Sequence, residues 1–355
     1  MAEANMESES GYREPQVKTF FRILGAANYY QTRKLLKQYA AKYPRFMYKF
    51  RRLQSTEDMN HLREIIVRSE LWLSSPKAFN DPFDMSIKFV FDATIKEKRM
   101  RFTKVLKAEG KKFHEIERLL PKLIRNANAE NLNPRLRKTV DETGVCSFAG
   151  DPRNILMWSH YASNHEGLCL VFEVARDPKT FLDALPVEYS LDYPVVNWVK
   201  DFDEGGPLTI VLRKHEGWKY EKERRIVKFK KANTHIKFSP AALWAIITGC
   251  RVKEGTLGNL KNLLAERTAA QMPPITVYRC CQHNSRYKLV ISKSSKPKRM
   301  RRNKQVQNGQ ITKRNAEGKF ERAARLCFQV VLWVGILSVS VLWKSLQQSV
   351  RWNRQ

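Results

Sequence analysis

The sequence predicts an α+β fold, with mixed, largely antiparallel sheets, helical insertions between the strands, and a C-terminal membrane helix. Three observations predict it. Short apolar runs of strand length mingle with segments of helical spacing without alternating strictly, which argues against a doubly wound parallel sheet. Hydrophobic residues make up 43% of the 355, enough to bury a sizeable core. A separate uncharged stretch near the C-terminus is long enough to cross a bilayer.

The elements follow in order. Residues 1–45 read as an N-terminal tail and helix. The opening MAEANMESES is acidic and polar, so it is not a signal peptide, and residues 1–16 are predicted disordered. Val17 to Tyr43 carries Phe20, Phe21, Leu24, Tyr29, Leu35, Leu36 and Tyr39 near helical spacing, and Pro44 ends it. Residues 46–291 then form the motif-bearing α+β domain. Strands are predicted at Phe46–Phe50, Leu71–Ser74, Val145–Phe148, Leu168–Val174, Val187–Tyr189, Lys219–Phe229, Leu243–Thr248, Ile275–Tyr278 and Tyr287–Ile291. Helices are predicted at Thr56–Ser69, Ile95–Lys107, Lys111–Asn126, Asn154–Ser163, Leu208–His215 and Thr256–Arg267. The stretch from Ile95 to Lys138 is helical and holds fourteen Lys or Arg against five Glu, a pattern that fits a solvated helical cap or an anion-binding surface.

Residues 292–325 change character. Twelve Lys or Arg between Lys293 and Arg325 face only Glu317 and Glu321, with little apolar periodicity, so a disordered polybasic linker is predicted. In residues 326–343, LCFQVVLWVGILSVSVLW, eighteen residues carry no charge. A helix of that length rises about 27 Å, which just crosses a hydrocarbon core. The expectation is a single-pass anchor, with residues 344–355 as a short tail. Lys and Arg are retained on the cytoplasmic side, so the main domain is expected in the cytoplasm.

The formal net charge is +30, which favours anionic partners, either lipid or nucleic acid, through the basic linker. No nucleic-acid fold signature accompanies the charge. The six cysteines include no C-x-x-C pair, and the first three sit in apolar runs, as reduced buried cysteines do.

Three motifs carry candidate chemistry. In MWSHYASNHEGLCLVFEV, Asp151-Pro152 upstream predicts a helix N-cap, and Gly167 a chain reversal into a strand. Trp158 and Tyr161, three apart, share a helix face toward a pocket or core. His160 and His165, five apart, diverge, so no metal site is expected. His160 is the one weak catalytic candidate among the histidines. In GWKYEKERRIV, read as a strand, Glu221, Glu223 and Arg225 share one face, with the two carboxylates about 7 Å apart. Close acids raise each other's pKa and can divide acid–base and positioning roles. A charged edge strand with cross-strand ion pairs fits the same pattern. In LWLSSPKAFNDPFD, Asn80-Asp81-Pro82 makes a tight turn, where Asn80 or Asp81 either touches a ligand or bonds its own backbone.

The order Tyr48-Lys49-Phe50, the F-N-D-P turn, Cys146-Ser147-Phe148, the W-x-x-Y-A helix–strand and W-x-Y-E-x-E-x-R resembles the bacterial domain-of-unknown-function family twenty-nine seventy-one. The resemblance covers residues 46 to 291 and supplies no activity. More distantly, the arrangement resembles ADP-ribosyltransferases. That resemblance implies NAD as the cofactor consumed, with Lys49 at the early cationic position, Ser147 at the middle one and Glu223 at the late one. Glu221 would orient the acceptor. Lys49 departs from the expected His or Arg and supplies charge without a planar fork. Catalytic candidates are therefore Glu223 and Glu221. Substrate-binding candidates are Tyr48, Lys49, Ser147, Asn80, Asp81, Trp158, Tyr161 and Arg225. Three functions stay open: an ADP-ribosyltransferase-like defence or stress effector, a nucleic-acid-binding or processing protein, and a non-catalytic membrane-tethered module.

Overall fold

The computed structural model describes residues 22–26, 28–40, 42–200 and 210–293. The acidic tail, the polybasic linker and the apolar segment 326–343 lie outside the described residues. Among the described residues, no helix is long and apolar enough to cross a membrane.

Fourteen strands and seven helices of a turn and a half or more make up the described chain, joined by short 3₁₀ turns. In order, the strands are β1 (Phe46–Arg51), β2 (Glu70–Leu73), β3 (Lys88–Val90), β4 (Gly144–Phe148), β5 (Leu168–Glu173), β6 (Ala184–Pro186) and β7 (Glu188–Ser190). They continue with β8 (Val195–Asn197), β9 (Arg213–His215), β10 (Arg224–Lys228), β11 (Thr234–Lys237), β12 (Leu243–Thr248), β13 (Thr276–Gln282) and β14 (Leu289–Lys293). The helices are α1 (Tyr29–Gln38), α2 (Thr56–Ile66), α3 (Ile95–Ala108), α4 (Phe113–Arg125), α5 (Ala129–Asp141), α6 (Ile155–Tyr161) and α7 (Glu254–Ala269).

The main sheet has the order β1-β5-β12-β13-β14, and a second sheet has the order β4-β10-β6. Three two-stranded pairs, β11-β2, β3-β8 and β7-β9, complete the set. The β12-β13, β3-β8 and β7-β9 pairings are parallel and the others antiparallel, so the fold is α+β with mixed sheets. Single bridges at Tyr48–Ala149 and Ser74–Val145 fasten β4 to β1 and to the end of β2. The strands carrying Lys49, Ser147 and Arg225 thus lie side by side.

The continuous apolar run of β5 has every residue buried, which fits its central position between β1 and β12. Its last residue, Glu173, is fully buried and accepts from Tyr29 Oη, Arg45 Nε and Arg176 Nε at 2.8, 3.1 and 2.7 Å. Burial opposes its charge, but these donors outweigh burial and lower its pKa. Gly167 opens the turn into β5 because a Cβ there would stand 2.2 Å from the Arg51 carbonyl oxygen. Helices α3 to α5 pack on Trp198 and Phe89 around their own buried cluster. A separate cluster of Phe50, Met157, Trp158, Cys169, Val171 and Ala245 lies under α6.

Several sequence expectations are corrected. The helix over Val17–Tyr43 is broken: α1 begins afresh at Tyr29, because Asn28 caps it by accepting from the Gln31 N–H. Helix α6 is capped by Asn154, which accepts from the Leu156 and Met157 N–H groups; Asp151 only closes its own turn onto Arg153 N–H. The segment expected as helix Leu208–His215 ends in strand β9. The strand expected over Lys219–Phe229 is a 3₁₀ turn over Glu216–Glu221 followed by β10. Strands β3, β6, β8, β9 and β11 were not expected; four of the five are three residues long, too short for a periodic signal, and the four-residue β11 is half-exposed.

Candidate functional site

A cleft of about 180 Å³ opens where β1, β4 and α6 meet the chain around Glu221. Its walls include Tyr48, Lys49 and Arg51 from β1, Ser147 and Phe148 from β4, and Met157 and Tyr161 from α6. Phe79, Asn80 and Asp84 come from the F-N-D-P loop, Lys214 from β9, and Glu221 and Glu223 from either side of a left-handed turn.

That turn is where local sequence departs most from the expected strand. Lys222 adopts φ 47°, ψ 49°, so Glu221 and Glu223 are not strand neighbours on a pleat. The Gly150 N–H donates to the Glu221 carbonyl at 3.0 Å, and the Asn154 side-chain amide donates to the Tyr220 carbonyl at 2.9 Å. These bonds capture carbonyls that a strand would offer to its neighbours, and they hold the 3₁₀ geometry.

The two carboxylates nevertheless converge on one cation. Lys214 Nζ donates to Glu221 Oε2 at 2.7 Å and to Glu223 Oε2 at 3.2 Å, and lies 3.7 Å from Asp84 Oδ2. Arg225, fully buried behind them, donates from Nε to Glu223 Oε1 at 2.8 Å and from Nη2 to Glu223 Oε2 at 3.0 Å. It also donates to Asp84 Oδ2 at 2.6 Å and to the Val211 carbonyl at 2.9 Å. Three acids and two bases thus share a buried network, in which each charge has a partner.

The network treats its two glutamates differently. Burial pushes the Glu221 carboxyl up, against the pull of Lys214, and the neighbouring Glu223 charge pushes it the same way. Burial also opposes ionisation of Glu223, but Arg225 and Lys214 outweigh it and hold the pKa at about 2. Tyr161 Oη donates to Glu221 Oε1 at 2.8 Å. Burial first, and then the Glu221 charge, raise the Tyr161 pKa, so the phenol keeps its proton as that donor. Burial likewise raises Tyr48 to about 12. The Lys49 amine, depressed mainly by burial, donates to the Ser147 carbonyl at 2.9 Å.

Of the residues singled out from sequence, Tyr48, Lys49, Asn80, Ser147, Tyr161, Glu221 and Glu223 line this cleft, and four do not, His160 among them, exposed on α6. Trp158 is fully buried, stands edge-on to Phe50 at 5.2 Å, and donates from Nε1 to the Pro152 carbonyl at 2.8 Å, so it is core. Asp81 accepts from the Phe83 N–H two residues on, closing its own turn. Arg225 supports Glu223 from behind. Sequence reasoning missed Lys214 and Asp84. Lys214 fell in a segment read as helix, and Asp84 closes the F-N-D-P-F-D run, where an acid after a second turn position was the available signal.

Among the described residues, no group of three or more His, Cys, Asp or Glu is placed to hold a metal ion. Residues 157–226 match the model of a family described as a protein of unknown function, DUF2971. No curated protein and no solved structure matches the chain.

Proposed function

We propose that this chain, whose residues 157–226 match the DUF2971 family model, is an enzyme that breaks the N-glycosidic bond of NAD and passes the ribosyl group to an acceptor. The observation that carries the reading is the pair of glutamates on Lys214 at the base of one cleft, with opposite pKa shifts. Acids whose environments push them apart suit different roles. Glu223, kept ionised, places negative charge where positive charge develops on the ribosyl carbon as the C–N bond breaks. The bonding pair leaves with the nicotinamide ring. Glu221 is the proton-transfer group, and takes the proton from the acceptor's hydroxyl or amine as the new bond forms. Lys49 and Ser147, on adjoining strands, stand at the early and middle positions of the ADP-ribosyltransferase resemblance, with lysine in place of the expected His or Arg.

The size of the cleft agrees with this. An engineered cavity of about 150 Å³ accepts benzene, so a cleft of about 180 Å³ takes one ring. We also propose that Leu326–Trp343 anchors the protein in a membrane, with the catalytic domain cytoplasmic.

Nicotinamide release from NAD tests the enzymatic reading, in wild type, Glu221→Gln and Glu223→Gln, with folding followed by circular dichroism. The reading requires turnover by wild type and a fall of a hundredfold or more in folded Glu221→Gln. No turnover by wild type, with or without candidate acceptors, or full turnover by Glu221→Gln, removes it.

A further inference from the structure

The turn that delivers Glu221 to the cleft floor also builds an aromatic rim outside it. Trp218 and Tyr220 lie on that turn, with ring centroids 6.0 Å apart. His160 joins them from α6: its ring is 6.2 Å from Trp218 and 6.2 Å from Tyr220, and its Nδ1 lies 3.0 Å from Tyr220 Oη. His160 is exposed, and Trp218 and Tyr220 are half-buried. The rim adjoins the cleft directly, because the next residues along, Tyr161 and Glu221, line it. Lys214 Nζ, which binds both glutamates, also lies 4.8 Å from the Trp218 ring centroid.

Exposed cations stand on the same chain segments as these rings. Lys219 and Lys222 on the turn, and Arg153 just before α6, are exposed. None of the three has a place in the buried network. The rings are tilted to one another, Trp218 by 41° to Tyr220 and His160 by 71° and 63° to the two, so a flat heterocycle stacks on one ring and meets the others at their edges, and the exposed cations on the same segments suit a phosphate that it carries. The cleft accepts only about one ring, so most of a nucleotide-sized ligand bound there lies outside it, and this rim adjoins its mouth.

We propose that Trp218, Tyr220 and His160 form a stacking subsite for the base of a phosphate-bearing nucleotide, with Lys219, Lys222 and Arg153 facing its phosphates. The subsite rests on the reading of the cleft as a ribosyl site, and it would set affinity for the base-bearing part of the ligand. The W-x-Y-E motif then has two outputs from one turn: rings to the rim and a carboxyl to the cleft.

Calorimetric titration of the full chain separates the two readings. The probes are ADP-ribose, which has a base, and ribose 5-phosphate, which has none. Wild type should bind ADP-ribose more tightly. Trp218→Ala should weaken ADP-ribose roughly 5- to 100-fold and ribose 5-phosphate less than twofold. Trp218→Phe should recover most of the loss, and Tyr220→Leu should repeat the selective effect in a second position. Equal weakening of both probes, or no weakening, overturns the subsite. So does wild type binding both probes equally, which leaves the cleft reading standing. Binding of neither probe by wild type overturns the cleft reading and the subsite with it.

Discussion

Glu221 and Glu223 sit 4% and 5% exposed around one lysine, yet a neutral side chain should be cheap at one and costly at the other. Burial makes the Glu221 charge costly, and glutamine removes that charge while keeping the shape of the side chain. Glu221→Gln is expected to change stability by less than about 1 kcal/mol. Glu223→Gln removes the carboxylate that holds Arg225 by two bonds and leaves Arg225 and Lys214 to share the remaining acids, Asp84 and Glu221, a loss of about 3 to 5 kcal/mol. The pH dependence separates them further. The Glu223 pKa falls from 4.5 to about 2 on folding, so its contribution is present above pH 4.5 and is lost as pH falls toward 2. Denaturant unfolding of wild type and Glu223→Gln should therefore differ most above pH 4.5 and converge toward pH 2. For Glu221 the sign is opposite: its folded pKa is raised, so its contribution is lost as pH rises through that value. Equal costs for the two substitutions at neutral pH would contradict this account of the network.

At the scale of elements, the turn over Glu216–Glu221 decides the site. Gly150 makes room for it: a Cβ there would stand 2.7 Å from Lys222 Cβ and 3.0 Å from the Lys222 carbonyl oxygen. Gly150→Ala should push the turn away and weaken the hydrogen bond from Gly150 N–H to Glu221. The expected cost is about 1 to 3 kcal/mol, as for overpacking, with a fall in turnover larger than the same loss of stability produces at a distant site. Thermal unfolding and nicotinamide release, measured together, check it. Turnover unchanged at full occupancy of the folded state would show that the turn does not position Glu221.

The same turn marks how far the sequence could be read. Long or strongly apolar elements were legible: β12 matches its expected bounds residue for residue, and β5 and α3 differ only at the last residue. Alternation in GWKYEKERRIV suggested a strand because it contains Glu and Lys in period two. It lacked any local sign that Lys222 would turn left-handed, since the bonds that impose this come from Gly150 and Asn154, over sixty residues away. Glu221 and Glu223 were identifiable as a pair, but their shared cation was not. Lys214 reaches them because β9 pairs with β7 in parallel, a contact between two three-residue strands that no periodicity announces. Trp158 shows the converse: an aromatic beside Tyr161 in a motif looks functional, but it is fully buried against Phe50, with its indole N–H satisfied by the Pro152 carbonyl.

At the scale of the whole molecule, the +30 charge and the apolar segment bear on where the domain works. Eleven Leu, Ile, Val or Phe residues in Leu326–Trp343 each favour insertion by about 0.3 to 0.6 kcal/mol near the helix centre. The preceding basic residues add roughly 1 kcal/mol apiece when held at an anionic surface. Full-length protein should stay in the membrane pellet after alkaline carbonate washing, and a chain ending at Arg325 should not. Complete release of the full-length chain by carbonate would place the segment on the surface rather than across the bilayer.

The central claim is that the cleft between β1, β4, α6 and the Glu216–Glu221 turn holds NAD. Amide hydrogen exchange of the full-length protein with and without NAD tests it most directly. The account predicts slower exchange in peptides covering residues 46–51, 144–149 and 214–223, with the protection reduced in Glu221→Gln and in Tyr161→Phe. Protection confined to other segments, or none at millimolar NAD, would contradict it.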